Sequence, residues 1–272
     1  MAVIKSSHVI LETRRVDRIQ KASKNPDSSS QDFLYIHNMN KLIFCTSVSI
    51  ALFLAACGDD SSVTSPSGKE SLSTLTDSRD GQTYKTVTIG SQTWMAQNLN
   101  IETEKSFCFN TDSSNCTKYG RLYTWAAAMD SAGEWSSNGK GCGYKSECSA
   151  MSPVRGVCPN GWHLPTKAEF ATLFSAVGGD SVAGKMLKST SGWNFAKASG
   201  NGSDDYAFSA LPVGYRDGGG DYTYVGNDAT FWISTEKSDE YAYAMRLIYR
   251  NDNADVDYRP KFMAFSVRCV KD

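Results

Sequence analysis

The chain has 272 residues with 28 Lys+Arg against 29 Asp+Glu, a near-balance that excludes the basic excess of a nucleic-acid binder. With 40% hydrophobic and 21% charged residues it is neither a disordered chain nor a polytopic membrane protein. Eight cysteines are many for a reducing compartment, and three histidines leave little scope for His-based catalysis or His-rich metal sites.

Residues 1–38 are polar and mixed in charge. Met39-Asn40-Lys41 then gives a short basic start to an apolar run over 42–56. A spanning helix needs about 20 apolar residues; this run is shorter and has the length and flanks of a secretory signal peptide. Its end, Leu54-Ala55-Ala56-Cys57, resembles the bacterial lipobox, where cleavage precedes the Cys and the thiol and new amino group are acylated. The resemblance implies lipid attachment at Cys57, a signal peptide over 39–56, a true start at Met39, and a mis-assigned upstream extension over 1–38. Several acyl chains anchor stably, since each buried CH₂ contributes about 0.8 kcal/mol. Gly58 replaces the Asp of the inner-membrane retention signal, which places the expected anchor in the outer membrane, facing the periplasm or the cell surface.

Residues 57–76, rich in Ser, Thr, Asp, Gly and Pro, read as a flexible tether, and one folded domain over 77–272 follows without an internal repeat. Alternation over Thr83–Ile89, a turn at Gly90-Ser91 and a return over Gln92–Met95 predict a hairpin. Tyr119 to Met129, with three consecutive alanines, reads as a short helix. Thr166-Lys167-Ala168-Glu169 is a capping box, and Phe170, Leu173, Phe174 and Val177 then repeat at helical spacing until Gly178-Gly179. Asp180 is placed to cap a second helix to about Ser189. Beyond Tyr206 the pattern turns to strands over 208–216, 223–225, 230–235, 241–250 and 265–270. Tyr241, Tyr243, Met245, Leu247 and Tyr249 share one strand face and read as core.

Setting aside Cys45 and Cys57 leaves six cysteines: 108, 116, 142, 148, 158 and 269. An even number in an exported chain implies three disulfides, with fifteen pairings open. Short loops favour Cys108–Cys116 and Cys142–Cys148, which leaves Cys158–Cys269. The spacings do not match the C-x₂₋₄-C pairs of zinc sites.

Six segments occur together in order. They are Asp80–Val87 with Ile89–Leu99, Tyr119–Trp125, Cys158–Thr166, Gly214-Tyr215-Arg216, Phe231–Thr235 and Ser266–Cys269. As a set they resemble the Fibrobacter succinogenes major paralogous domain, a family of exported bacterial proteins, over nearly all of 77–272. Trp162–Phe170 is also similar to a segment of formylglycine-generating-enzyme-like domains. This implies an α+β, C-type-lectin-like fold: two or three short helices with antiparallel sheets, disulfide-braced. That enzyme's chemistry uses a closely spaced late Cys pair. Here Cys269 is the only Cys after Cys158, so the activity is not implied.

No catalytic pair stands out. Asp204, Asp205, Asp217, Asp221, Asp228, Glu236, Asp239 and Glu240 lie mostly in turn-like stretches, without the spacing of a glycosidase acid and base. His163, the only histidine after Cys57, sits between Trp162 and Leu164 and reads as structural. Asp217, Asp221, Asn227 and Asp228 carry the oxygen groups calcium prefers, but they form only a weak candidate set, and no cofactor is expected. The segment from Tyr206 to Tyr249 is dense in aromatics. Tyr215, Tyr222 and Tyr224, beside Asp217 and Asp221, are candidates for binding a sugar face or a protein. The expected function is a lipid-anchored, non-catalytic binding module of the cell envelope, with polysaccharide or an envelope protein as partner. The alternatives are a structural envelope protein without a small ligand, or a carbohydrate-active hydrolase using the Asp-rich loops.

Overall fold

Residues 72–197 and 199–272 are described by a computed structural model. The signal-like run, Cys57 and most of the tether lie outside the described residues. Among the described residues no helix is long and apolar enough to cross a membrane.

Among the described residues the domain has three antiparallel sheets, four short α-helices and one 3-10 turn at Phe109–Thr111. The first sheet joins both ends of the described chain. Strand β1 (Ser73–Thr76) pairs with β2 (Thr83–Ile89), which turns into β3 (Gln92–Met95). The C-terminal β13 (Val270–Lys271) lies between β3 and β6 (Trp162–His163). The hairpin is the one the alternation predicts. Residues 73–76, assigned to the tether by composition, instead form an edge strand, because the Thr-rich segment finds a partner in β2.

A second sheet orders β4 (Ser106–Phe107), β5 (Leu122–Thr124), β12 (Ala264–Phe265), β7 (Tyr215–Arg216) and β8 (Tyr222–Thr223). The third has β10 (Tyr241–Ile248) between β9 (Asp228–Glu236) and β11 (Ala254–Pro260). Strand β9 is buried on both faces. By the period of two, Trp232 faces a core with Trp125, Trp162 and the Cys158–Cys269 disulfide, whereas Phe231 and Ile233 face a core with Trp94, Phe170 and Phe208. On β10, Ala242 and Ala244 join the first core and Met245 and Leu247 the second, with Tyr243 and Tyr249 packed at the margin of the second.

Helix α1 (Ser113–Tyr119) is capped by Asp112, and α2 spans Trp125–Ala128. The single helix expected over 119–129 is therefore interrupted by β5, and the Thr124 hydroxyl starts α2 by accepting from the Ala127 amide at 3.3 Å. Helix α3 (Lys167–Ala176) has the complete Thr166/Glu169 capping box and buries Phe170, Leu173 and Phe174. Helix α4 (Asp180–Leu187) has Gly179 at its N-cap, with Asp180 as its first residue instead of its cap. The strand expected over 208–216 shrinks to β7. Arg268, fully buried, takes the carbonyls of Phe208 and Ser209 and so removes them from any ladder. Disulfides join Cys108 to Cys116, Cys142 to Cys148 and Cys158 to Cys269.

Candidate binding face around the β7–β8 hairpin

The β7–β8 hairpin closes over Gly218-Gly219-Gly220. Asp217 shapes the loop: its Oδ1 accepts from the amides of Gly219 and Asp221, each at 2.9 Å. Two of the glycines let neighbouring side chains close on the loop, and Gly220 also needs its left-handed backbone. A Cβ at Gly218 would meet the Phe262 ring at 2.5 Å, and one at Gly220, where φ is +97°, would meet the Arg216 guanidinium at 2.8 Å.

Phe262 stands edge-to-face with Tyr144 at 5.1 Å, and the two rings are 40% and 41% exposed. Together with Gly218, Gly219 and Asp217 they border an open depression. Both rings are held from behind. Tyr144 lies in the loop closed by Cys142–Cys148, and Phe262 follows the fully buried Lys261. The Lys261 ammonium reaches into that loop, donating to the carbonyls of Gly143 (3.2 Å) and Ser146 (3.1 Å), pairing with Glu236 and lying over the Trp125 ring. Glu236 in turn accepts from the Cys148 amide at 2.9 Å. One ion pair, with its lysine fully buried and its glutamate half-buried, therefore fixes the Tyr144 loop and the Phe262 corner to the same point.

The three tyrosines expected to bind take different positions. Tyr222 is half-buried, packed on Phe109 at 5.3 Å with its hydroxyl buried, and so supports the hairpin. Tyr215 is half-buried against Phe265 and stacked on Tyr224, with ring centroids 5.3 Å apart and planes 17° from parallel. Burial, with the neighbouring Tyr224, raises the Tyr215 phenol pKa. Tyr224 alone is well exposed, at 48%, and it has φ of +63°, a conformation disfavoured for a bulky side chain. The turn holds it there, since the amides of Asn227 and Asp228 both donate to its carbonyl.

Beside this stack a cleft of about 260 Å³ is lined by Tyr215, Tyr224, Met263 and Phe265 together with Arg246, Arg259 and Thr230. The Arg246 guanidinium donates to buried Asp228 at 2.7 Å, and Arg259 donates to Asp257 at 2.9 Å. Burial raises the Asp228 pKa, an effect that its Arg246 partner only partly offsets.

The four calcium candidates do not form one group. Asp217 serves its own loop, Asp228 serves Arg246, and the Asn227 amide oxygen accepts from Asn194. Among the described residues no group of three or more His, Cys, Asp or Glu is placed to hold a metal ion.

Other polar clusters are structural. His163 bridges Glu169 of the capping box and Asp272, both at 2.7 Å. Lys188 Nζ lies 2.7 Å from Ser199 Oγ, the spacing of a nucleophile and its base, but it also donates to the carbonyls of Ile248 and Asn251. Its three protons are thus taken, and it acts as a buried clamp on the β10–β11 turn.

Tyr144, Phe262, Arg246 and Arg259 were not among the residues singled out from sequence. The Asp/Arg alternation over Asp255–Arg259 carries a strand signal that would have found Arg259. Tyr144 and Phe262 lie in irregular segments with no periodic signal.

The chain belongs to the Fibrobacter succinogenes major domain family, whose profile matches residues 87–271 and so includes every residue of this face. Neither a curated protein nor a solved structure matches the chain.

Proposed function

We propose that this protein is a lipid-anchored, non-catalytic binding module of the cell envelope, and that the face around the β7–β8 hairpin takes polysaccharide. The observation that carries the reading is the two aromatic pairs at the β7–β8 hairpin, Tyr144/Phe262 beside its glycine loop and exposed Tyr224 stacked on half-buried Tyr215. Rigid rings that present an apolar face beside hydrogen-bonding groups suit sugar rings. A non-catalytic role is supported by three carboxylates of this part of the chain that are committed to structural partners. Asp204 holds Ser209, Asp228 holds Arg246 and Glu236 holds Lys261.

A C-type-lectin-like topology belongs to the same proposal. It is supported by the meeting of the first and last strands in one sheet, by the two consecutive helices α3 and α4, and by the capped Trp162–Phe170 segment. The lipid anchor at Cys57 rests on the Leu54–Cys57 sequence, and the outer-membrane location on Gly58.

Two experiments test the proposal. In fatty-acid labelling of the expressing cell, the wild type incorporates label and Cys57→Ser does not; undiminished label in the variant removes the anchor. On a glycan array the full chain in detergent binds at least one polysaccharide class. No binding to any glycan would favour the structural envelope reading.

A further inference from the structure

The cleft beside the tyrosine stack has a chemistry that the rest of the face lacks. Thr230 of β9 stands opposite Arg246 of β10, and Arg259 reaches the same cleft from the neighbouring strand β11. The two arginines and Thr230 line this trough together with Tyr215, Tyr224, Met263 and Phe265.

The arginines are under-used. A guanidinium has five N–H donors in a planar fork. Towards the described residues Arg246 makes one hydrogen bond, to Asp228, and Arg259 uses a single nitrogen, for Asp257 and the Tyr258 carbonyl. Each is held by one edge, with donors left over at the cleft. Because Asp228 and Asp257 balance the two charges, the cleft offers hydrogen-bond geometry and not a net positive field. A planar carboxylate matches such a fork with two parallel bonds. A sulfate ester or a phosphate can also take such a fork with two bonds, but carries more charge, which a cleft whose arginines are already balanced favours less. The cleft volume of about 260 Å³ lies just under the range of about 300–1,000 Å³ for drug-sized ligands, which suits one ring and not a long segment.

We infer that this cleft binds the uronic acid residues of an acidic polysaccharide, with the sugar ring against Tyr224 and its carboxylate on Arg259 and Arg246. The inference rests on the polysaccharide reading above and narrows it to one class of sugar. The backbone of Tyr224 supports it independently, since a bulky residue held at positive φ persists where the surrounding fold imposes it, and such positions gather at binding sites.

The test is affinity electrophoresis of the full chain in detergent through gels containing polygalacturonate or alginate, each compared with its own carboxyl-reduced polymer and with dextran sulfate. The expected result is retardation by a uronate polymer, clearly weaker retardation by its reduced form, and little by dextran sulfate. Arg259→Gln should weaken uronate binding about 10- to 100-fold, the loss of one charge-assisted pair, and weaken binding to the reduced polymer much less. Tyr224→Ala should weaken both. Equal retardation by acidic and reduced polymers would overturn the uronate inference and leave the polysaccharide module standing. Strongest retardation by dextran sulfate would reduce the effect to general charge attraction and overturn it as well. No retardation by any polymer would defeat both readings.

Discussion

At the scale of single residues, Tyr224 separates stability from binding. Left-handed backbone costs a non-glycine residue roughly 1–2 kcal/mol, and the stacked ring returns about 0.5–1.5 kcal/mol. Tyr224→Gly removes both contributions, so its unfolding free energy should stay within about 1 kcal/mol of the wild type while glycan binding falls. Urea melts paired with a binding assay check this; a large loss of stability would show that the ring is a structural support. His163 makes a second prediction. Burial opposes its charge, but the hydrogen bonds and charges of Glu169 and Asp272 outweigh burial and hold its pKa above 6.5. Burial likewise opposes ionisation of Glu169, yet His163 and the Thr166 backbone hold its pKa below 4.5. A raised histidine stabilises the fold below pH 6.5 and loses that contribution as pH rises through its folded value. A lowered glutamate stabilises above pH 4.5 and loses its contribution as pH falls. The melting-temperature gap between wild type and His163→Gln should therefore be widest between pH 4.5 and 6.5 and narrow on the alkaline side. A gap that widens with rising pH would contradict the bridge.

Elements differ in how they are braced, and the disulfides show it. The Cys158–Cys269 link spans 111 residues and joins the start of β6 to the C-terminal strand, whereas Cys142–Cys148 spans 6 and closes the Tyr144 loop. Chain-entropy reasoning gives about 5 kcal/mol for the long loop and about 2 kcal/mol for the short one. Replacing Cys158 and Cys269 by Ala should sharply lower thermal stability. Replacing Cys142 and Cys148 should cost less stability but more glycan retention, since it frees the ring that faces the ligand. Equal effects of the two pairs on retention would argue against Tyr144 as a contact.

Legibility in the sequence also varied by element. The β2–β3 hairpin and α3 were readable because their signals are local: alternation about a Gly-Ser turn, and a capping box before an apolar face. Strand β11 carries a fainter signal: Asp255, Asp257 and Arg259 alternate with Val256 and Tyr258, but the charges that guard this exposed edge against pairing leave little apolar pattern. The shortening of the 208–216 strand was hidden as well, since its cause is Arg268, distant in sequence and buried against those carbonyls. Of the candidate site, the hairpin and its tyrosines were legible from composition. The Tyr144/Phe262 pair and the arginine trough were not, because the disulfide loop, the Lys261–Glu236 pin and the β10–β11 register bring them together only in three dimensions.

Across the whole molecule, two cores flank the doubly buried β9, and the sheets carrying β7–β8 and β11 display the aromatic and arginine groups at their corner. The rigid parts lie beneath the corner and the exposed rings lie above it, an arrangement suited to recognition without closure. The most direct test of the central claim measures retention of the full chain on insoluble polysaccharide and released reducing sugar in the same tubes. Wild type is compared with the Tyr144→Ala/Phe262→Ala/Tyr224→Ala variant after both are shown to melt alike. The account predicts retention by the wild type, loss of retention in the variant and no sugar release by either. Unchanged retention in the variant, or sugar release by the wild type that Asp217→Asn abolishes, would contradict it.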